Sequence, residues 1–333
     1  MSDALVLAGD IGGTKSNLAF FRGAPNAPGT VVERSYQNRD FASLAEVARR
    51  FLAESGLTAT TACFGVAGAV VAGASHLPNL GWQLSETGLA RELGLASVRL
   101  LNDLEANALG IATLPPGQFF TLNPGQSLSG GNRALIAAGT GLGMAMLFNH
   151  DADYRVSASE GGHVDFAPRN EDEVGLLRFL AARHGRVSVE RVVSGRGLAA
   201  IYDFLKDSGM DESAGLAARL ETAADRAAVI AQAGASGEAA ICAKALKLFL
   251  SAYGAAAGNL ALMALATGGL YIGGGIAPKL IDSLPESGFM AAFTDKGRFS
   301  GLLSRIPVRI ILEPRTALYG AAAHALRHGG ATP

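Results

Sequence analysis

An amide and a carboxylate, Asn102 and Asp103, close the strand-like stretch Val98–Leu101, apolar except for Arg99, and a helix-like segment follows from Leu104. Neither group can sit in a core without partners. In open α/β sheets the end of a strand is where ligands bind. Asp103 is therefore either a ligand-facing carboxylate or the cap of a helix that starts at Leu104.

Two glycine turns flank this stretch. The first is Asp10–Ile11–Gly12–Gly13–Thr14–Lys15, set between the apolar runs Ala4–Gly9 and Asn17–Phe21. Strand, glycine turn and strand make a hairpin whose backbone N–H groups can come close to a phosphate. Thr14 and Lys15 could add a hydroxyl and a cation, and Asp10 could hold Mg²⁺ through water. The alternative is an ordinary Gly-Gly turn with a surface lysine. It is not a Walker A loop, because Thr14 stands where glycine must precede the lysine. The second turn, Gly139–Thr140–Gly141, lies between Arg133–Ala138 and Met144–Phe148 and repeats the layout, as an internal duplication would. A strand follows it where a dinucleotide fingerprint needs a helix. A third turn, Gly273–Gly274–Gly275, follows the apolar Leu270–Ile272 and suits close approach of a flat base, or is a tight strand-to-helix connection.

Two further stretches concentrate polar chemistry. Ser159–Pro168 holds Glu160, His163 and Asp165 beside Gly161 and Gly162. These could ligate a metal, bind a polyol's hydroxyls, or form a plain loop; a metal lacks a fourth ligand at a useful spacing. Glu190 precedes a glycine pair and a helix, and could bind a ligand or pair with Arg191 or Arg196.

The elements that must position these groups alternate. Helical spacing covers Phe41–Ser55 (capped by Asp40 or Ser43) and Leu84–Leu93. It continues in Leu198–Phe204, Ala214–Glu221, Asp225–Ala233, Gly237–Ala266 and Thr316–His328. Thr61–Ala69 and Val308–Leu312 read as strands. Pro25–Thr30, His76–Trp82 and Asn123–Asn132 read as loops, and Glu171–Glu173 as a solvated helix start. Strands alternating with helices argue for an α/β architecture. A chain crossing near Pro115 and a terminal helix that returns to the first domain give two domains, 1–113 plus 313–333 and 114–312.

With 333 residues, 49% apolar and 17% charged, the chain can bury a large core. A net charge of −1 gives no footprint for nucleic acid or an anionic membrane. Cys63 and Cys242 are too few and too far apart for a zinc site or a disulfide framework. The uncharged run Leu248–Pro278 is the one membrane candidate, but Gly273–Gly275 breaks it, and a buried helix followed by a buried strand explains it better. A cytoplasmic protein is expected, with no membrane partner.

Assembled in order, DIGGTKSNLAF, PNLGW, LNDLEANALG, AAGTGLGMA, SEGGHVDFAP, ERVVSGRGL and GGLYIGGGIAPK resemble the bacterial glucokinase family over nearly the whole chain. SEGGHVDFAP and ERVVSG are the most telling. No cysteine-rich motif follows His163, which points to the zinc-free branch. The resemblance implies a two-lobed actin-like ATPase (ribonuclease H-like) α/β fold, with mixed sheets flanked by helices and a cleft between the lobes. It implies ATP- and Mg²⁺-dependent phosphorylation of glucose to glucose 6-phosphate by a homodimer. Asp103 would be the general base. Asn79, Asn102, Glu160, His163 and Glu190 would bind the sugar. Gly12, Gly13, Thr14, Gly139, Thr140 and Gly141 would hold phosphates with Asp10 aiding Mg²⁺, and Gly273–Gly275 would flank adenine. Lys15 departs from the asparagine common in that branch, and Glu313–Thr316 matches no functional element. The competing readings are a kinase for mannose or an N-acetylhexosamine, a non-catalytic sugar sensor, and a filament or chaperone ATPase. An intact Asp103 argues against the sensor, and the Ser159–Pro168 segment against the filament.

Overall fold

Strands and helices alternate in two rounds. In the first, Val6–Ile11 (β1), Lys15–Ala24 (β2) and Ala27–Gln37 (β3) run back and forth. Helix Leu44–Ser55 (α1) then leads to Thr61–Val66 (β4). A meander of Val70–Val71, Ala74–Leu77 and Trp82–Ser85 (β5, β6, β7) precedes Glu86–Leu93 (α2), Ser97–Asn102 (β8) and Asp103–Gly110 (α3). The second round starts with Phe119–Asn123 (β9), Arg133–Ala138 (β10), Leu142–His150 (β11) and Asp153–Ser159 (β12). Five helices follow: Glu171–His184 (α4), Gly195–Asp207 (α5), Ala214–Thr222 (α6), Arg226–Ala235 (α7) and Ala240–Ala264 (α8). Gly269–Gly273 (β13), Phe289–Thr294 (α9), Ser300–Leu303 (α10), Val308–Ile311 (β14) and Thr316–His328 (α11) complete the order. This computed structural model describes residues 5–150 and 153–328, so Ala4, expected to open the first strand, lies outside them.

The chain divides into two compact units. One runs to Gln118 and takes in Val156–Ala158 and the segment from Glu313; the other holds Phe119–Arg155 and Ser159–Leu312. The main sheets run β3-β2-β1-β4-β8 and β12-β11-β10-β13-β14-β9. The first five positions correspond strand for strand. In each sheet a glycine turn joins an antiparallel hairpin, β1–β2 or β10–β11, and two parallel strands follow on the far side. The duplication expected from the two glycine turns is thus present in the topology.

Burial explains which strands the sequence announces. β1 and β4 are covered on both faces, by α1 and α2 on one and by α3 and α11 on the other, and read as apolar runs. β3 was expected as a loop around Pro25–Thr30. It is an edge strand with little buried side chain, where Pro28 is tolerated because its missing N–H is not needed. β5, β6 and β7 span two to four residues each, too short for a period to show; the expected His76–Trp82 loop is the turn Pro78–Gly81 flanked by the paired ends of β6 and β7. Glu171–Glu173 opens a full helix, α4, capped by Asn170. Ser43, not Asp40, caps α1 through the Glu46 N–H.

α8 is the apolar helix expected after Gly237, and β13 follows it. By length and composition it could cross a membrane, yet 67% of its most apolar window is buried in the protein. Gly254 and Gly258 lie on one of its faces, where an added Cβ would fall 2.1 Å and 2.4 Å from the Phe289 and Phe293 carbonyl oxygens, so α9 rests directly on the backbone of α8. Cys63 and Cys242 are both buried free thiols, and burial pushes both up, Cys242 to about 11.

Candidate active site

β1, β4 and β8 are parallel and in register, with Ile11 beside Val66 and Val66 beside Asn102. Their C-terminal ends therefore share one edge of the first unit's sheet, the edge where α/β proteins bind ligands. Asp10 is the penultimate residue of β1, and Asp103 opens α3 directly after β8. Between them stands Gly65, where a Cβ would lie 2.9 Å from that of Ala106. The bare glycine lets α3 descend onto the sheet and brings Asp103 toward Asp10. The helix begins one residue earlier than the capping alternative requires: Asn102 is the cap, its Oδ1 accepting the Leu104 N–H at 3.0 Å, while Asp103 is the first helical residue. Asp103 Oδ1 accepts the same N–H at 2.9 Å. The Asn102 amide also donates to the Gly68 carbonyl.

Asp10 is half-buried, and its carboxyl is raised to about 6, first by burial and next by the charge on Asp103. A hydrogen bond from Asn17 and the charge of Lys15 oppose the rise. Asn17 faces Asp10 across β1–β2 and Ser35 faces Asn17 across β2–β3; the Ser35 hydroxyl donates to Asn17 Oδ1 at 2.7 Å. Two carboxylates that feel each other's charge at one sheet edge are less stable as a doubly charged pair. A bound cation would relieve them, so Asp10 and its surroundings fit Mg²⁺.

The Gly12–Thr14 turn is held from beneath by a residue the sequence reading missed. Asn38 is buried; its amide donates to the Gly12 carbonyl at 2.8 Å, and its backbone N–H donates to the Thr14 carbonyl at 2.9 Å. The buried Ser16 hydroxyl donates to Asn38 Oδ1 at 2.6 Å. Every polar group in this knot has a partner, so it fixes the turn. Gly13, Thr14 and Lys15 are exposed on top. Asn79 lies beside Gly13, with Nδ2 3.7 Å from where a Cβ would be. In one unit the fold thus brings Asp10, Gly12, Gly13, Thr14, Lys15, Asn79, Asn102 and Asp103 to neighbouring loops.

In the second unit the Gly139 carbonyl accepts the Gly195 N–H at 2.9 Å, tying the glycine turn to the start of α5. Gly274, at φ +79°, packs against Ala138, where a side chain would be 2.3 Å from the carbonyl oxygen. A cavity of about 860 Å³ opens here. Gly139, Thr140 and Gly275 line it, whereas Gly141, Gly273 and Gly274 do not. Its remaining walls include Arg196 and Lys279, which lie in the ERVVSGRGL and GGLYIGGGIAPK segments, and one face of α7, which had no signal beyond helical spacing.

The sugar-type segments pair with each other in the same unit. The Val189 N–H donates to the Val164 carbonyl at 2.9 Å, and the Phe166 N–H to the Val187 carbonyl at 3.0 Å. His163 Nε2 lies 3.9 Å from Glu160 Oε2, both side chains exposed. Glu190 is not spent on Arg191 or Arg196: its Oε2 accepts the Leu142 N–H at 2.9 Å, bracing the second glycine turn. Asp165 pairs with Arg186 at 2.7 Å. Among the described residues no group of three His, Cys, Asp or Glu could hold a metal, which leaves the metal reading of Ser159–Pro168 without support.

A glucokinase family model matches residues 7–328. The chain belongs to the glucokinase family. The glucokinase of Trichormus variabilis is 43% identical over 342 residues, covering 97% of this chain and 99% of that protein. In structure the chain is similar to a glucokinase from an Antarctic psychrotroph, with a TM-score of 0.86 and 32% identity over 97% of this chain and 99% of that one. A glucokinase of the ROK family from Streptomyces griseus, solved with glucose and AMPPNP, shares the fold at a TM-score of 0.66 and 18% identity, covering 97% and 100% of the two chains. This family member has the actin-like ATPase fold and is an enzyme that phosphorylates glucose.

Proposed function

We propose that the enzyme transfers the γ-phosphoryl group of ATP to the 6-hydroxyl of glucose, with Asp103 as general base. The observation that carries this reading is the placement of Asp103 on the first turn of α3, within electrostatic reach of Asp10 and at the same sheet edge that β1 brings to the Gly12–Thr14 turn. Phosphoryl transfer has a loose transition state, so the protein's work is positioning and charge stabilisation. Asp103 orients the attacking hydroxyl and takes its proton as the new P–O bond forms. Asn79, Asn102, Glu160, His163 and Glu190 bind the other hydroxyls. The backbone N–H groups of the two glycine turns and Lys15 receive phosphate oxygens. Asp10 holds Mg²⁺ through water; when bound, that ion offsets the charge on the phosphates. The nucleoside lies in the second unit's cavity, past Gly275.

A related structure supports the substrate pair, since the S. griseus protein was solved with glucose and AMPPNP. The reading includes a cytoplasmic enzyme, and a second copy of the chain is the expected partner, read out by sedimentation. The deciding experiment is ADP formation from Mg·ATP with glucose, mannose, fructose, N-acetylglucosamine and no sugar. Strong turnover with glucose supports the reading. Turnover with another sugar alone keeps Asp103 but redraws the pocket around Glu160, His163 and Glu190. Hydrolysis without sugar refutes it.

A further inference from the structure

The cavity of the second unit has a direction. One end is the Gly139–Thr140 turn, joined to the start of α5 through Gly195, with Arg196 in the wall. A helix start and a guanidinium mark it as the anionic end. A Cβ on Gly195 would lie 3.8 Å from that of Ala227, so the N-terminus of α7 abuts this end. From there α7 gives the cavity Ala227, Ala231 and Ala235, one residue every four. At a rise of about 1.5 Å per residue this is a smooth floor roughly 12 Å long. Ile276 and Leu280 also line the cavity, and the resulting apolar slot suits a flat base.

A nucleotide entering phosphate-first places its ribose near the start of α7, and there stands Asp225. It caps α7, Oδ1 accepting the Ala228 N–H at 3.1 Å, and it also lines the cavity. That cap bond uses one of about four acceptor positions on a carboxylate and restrains the side chain. A carboxylate is a poor neighbour for phosphate oxygens but a strong acceptor for hydroxyls.

We propose that Asp225 reads the ribose hydroxyls of the phosphoryl donor, so that the enzyme selects a ribonucleoside triphosphate over its 2′-deoxy counterpart. This rests on the reading that the donor nucleotide occupies the second unit's cavity. Loss of one hydroxyl removes one hydrogen bond to a charged acceptor, equivalent to roughly tenfold in affinity.

The test compares kcat/KM for ATP and 2′-deoxy-ATP at saturating glucose in three proteins: wild type, Asp225→Ser and Asp282→Ser. Serine preserves a helix cap while removing the carboxylate, which separates recognition from folding. Asp282 is the other carboxylate on the cavity wall. Wild type should favour ATP by about tenfold. Asp225→Ser should bring the ratio near one by weakening ATP, and Asp282→Ser should retain it. An indifferent wild type, an unchanged ratio in Asp225→Ser, or a ratio lost in Asp282→Ser overturns the proposal. Calorimetric binding of ADP against 2′-deoxy-ADP to the sugar-free protein repeats the comparison without turnover. If the kinase reading failed, that measurement would still decide this one: equal affinities in the wild type overturn it.

Discussion

Burial and, second to it, the charge on Asp103 raise the carboxyl of Asp10 to about 6, although Asp10 and Asp103 are 93 positions apart in the chain. Register brings them together, since β1, β4 and β8 end side by side. Each carboxylate therefore alters what the other can do.

Asp103→Asn keeps the shape and removes the acceptor of the hydroxyl proton. Turnover should fall by about 10²–10⁴-fold, while glucose affinity stays within a few-fold. Kinetics and a binding titration check the two halves separately. Wild-type turnover in the variant would exclude Asp103 as the base.

Asp10 itself links stability to pH. Its folded-state value is raised above the ordinary 3.8, so the folded protein holds this proton more tightly than the unfolded chain does. That contribution is complete below pH 4 and is lost as pH rises through about 6. Without Mg²⁺, Asp10→Asn should therefore be more stable than wild type above pH 6, on the order of 2 kcal/mol, and show no such gain at pH 4. Thermal melts across that range read the difference. The same variant should lose turnover at all Mg²⁺ concentrations.

The sugar contacts predict a split in Michaelis constants. His163 and Glu160 sit 3.9 Å apart and exposed, as a pair offering a donor and an acceptor. His163→Ala should raise KM for glucose about tenfold and leave KM for ATP nearly unchanged. An unchanged glucose KM would remove His163 from the sugar site.

What the sequence revealed followed burial and turn chemistry. β1, β4, β8, α8 and the glycine turns are visible because a covered strand must be apolar and a close backbone approach needs glycine. β3 and β5–β7 escaped because an edge strand or a strand of two to four residues has no apolar stripe to show. Asp10 and Asp103 are legible as carboxylates at strand ends. Asn17, Ser35, Asn38 and Asp225 are not, because their roles depend on cross-strand neighbours or on which helix face lines a cavity. A buried asparagine before a helix looks like any turn residue until its partners are placed.

Helix α3 owes its position to α11. A Cβ on Gly320 would fall 1.8 Å from the Ala106 carbonyl oxygen, and one on Gly110 would fall 2.1 Å from that of Thr316. Backbone meets backbone at both points, so neither neighbour can yield as a side-chain tip would. Gly320→Ala should destabilise the protein by about 1–3 kcal/mol and lower kcat, since a displaced α3 carries Asp103 with it. Denaturant melts and turnover, measured together, test the coupling. A stable but slow variant would locate the effect in the active site alone.

The Ser16–Asn38 knot offers the sharpest separation of folding from binding. Ser16→Ala removes only the hydroxyl that orients the Asn38 amide and leaves the bond from Asn38 to the Gly12 carbonyl in place. Asn38→Leu leaves the Gly12 carbonyl and the Ser16 hydroxyl unsatisfied. The stability loss should be about 1 kcal/mol for the first and about 2–3 kcal/mol for the second. If the knot serves the phosphate turn, both variants should raise KM for ATP in the same order, with KM for glucose nearly constant at a temperature where both remain folded. Equal rises in the two constants would mean that the knot supports the whole sheet edge, Asp103 included, rather than the Gly12–Thr14 turn.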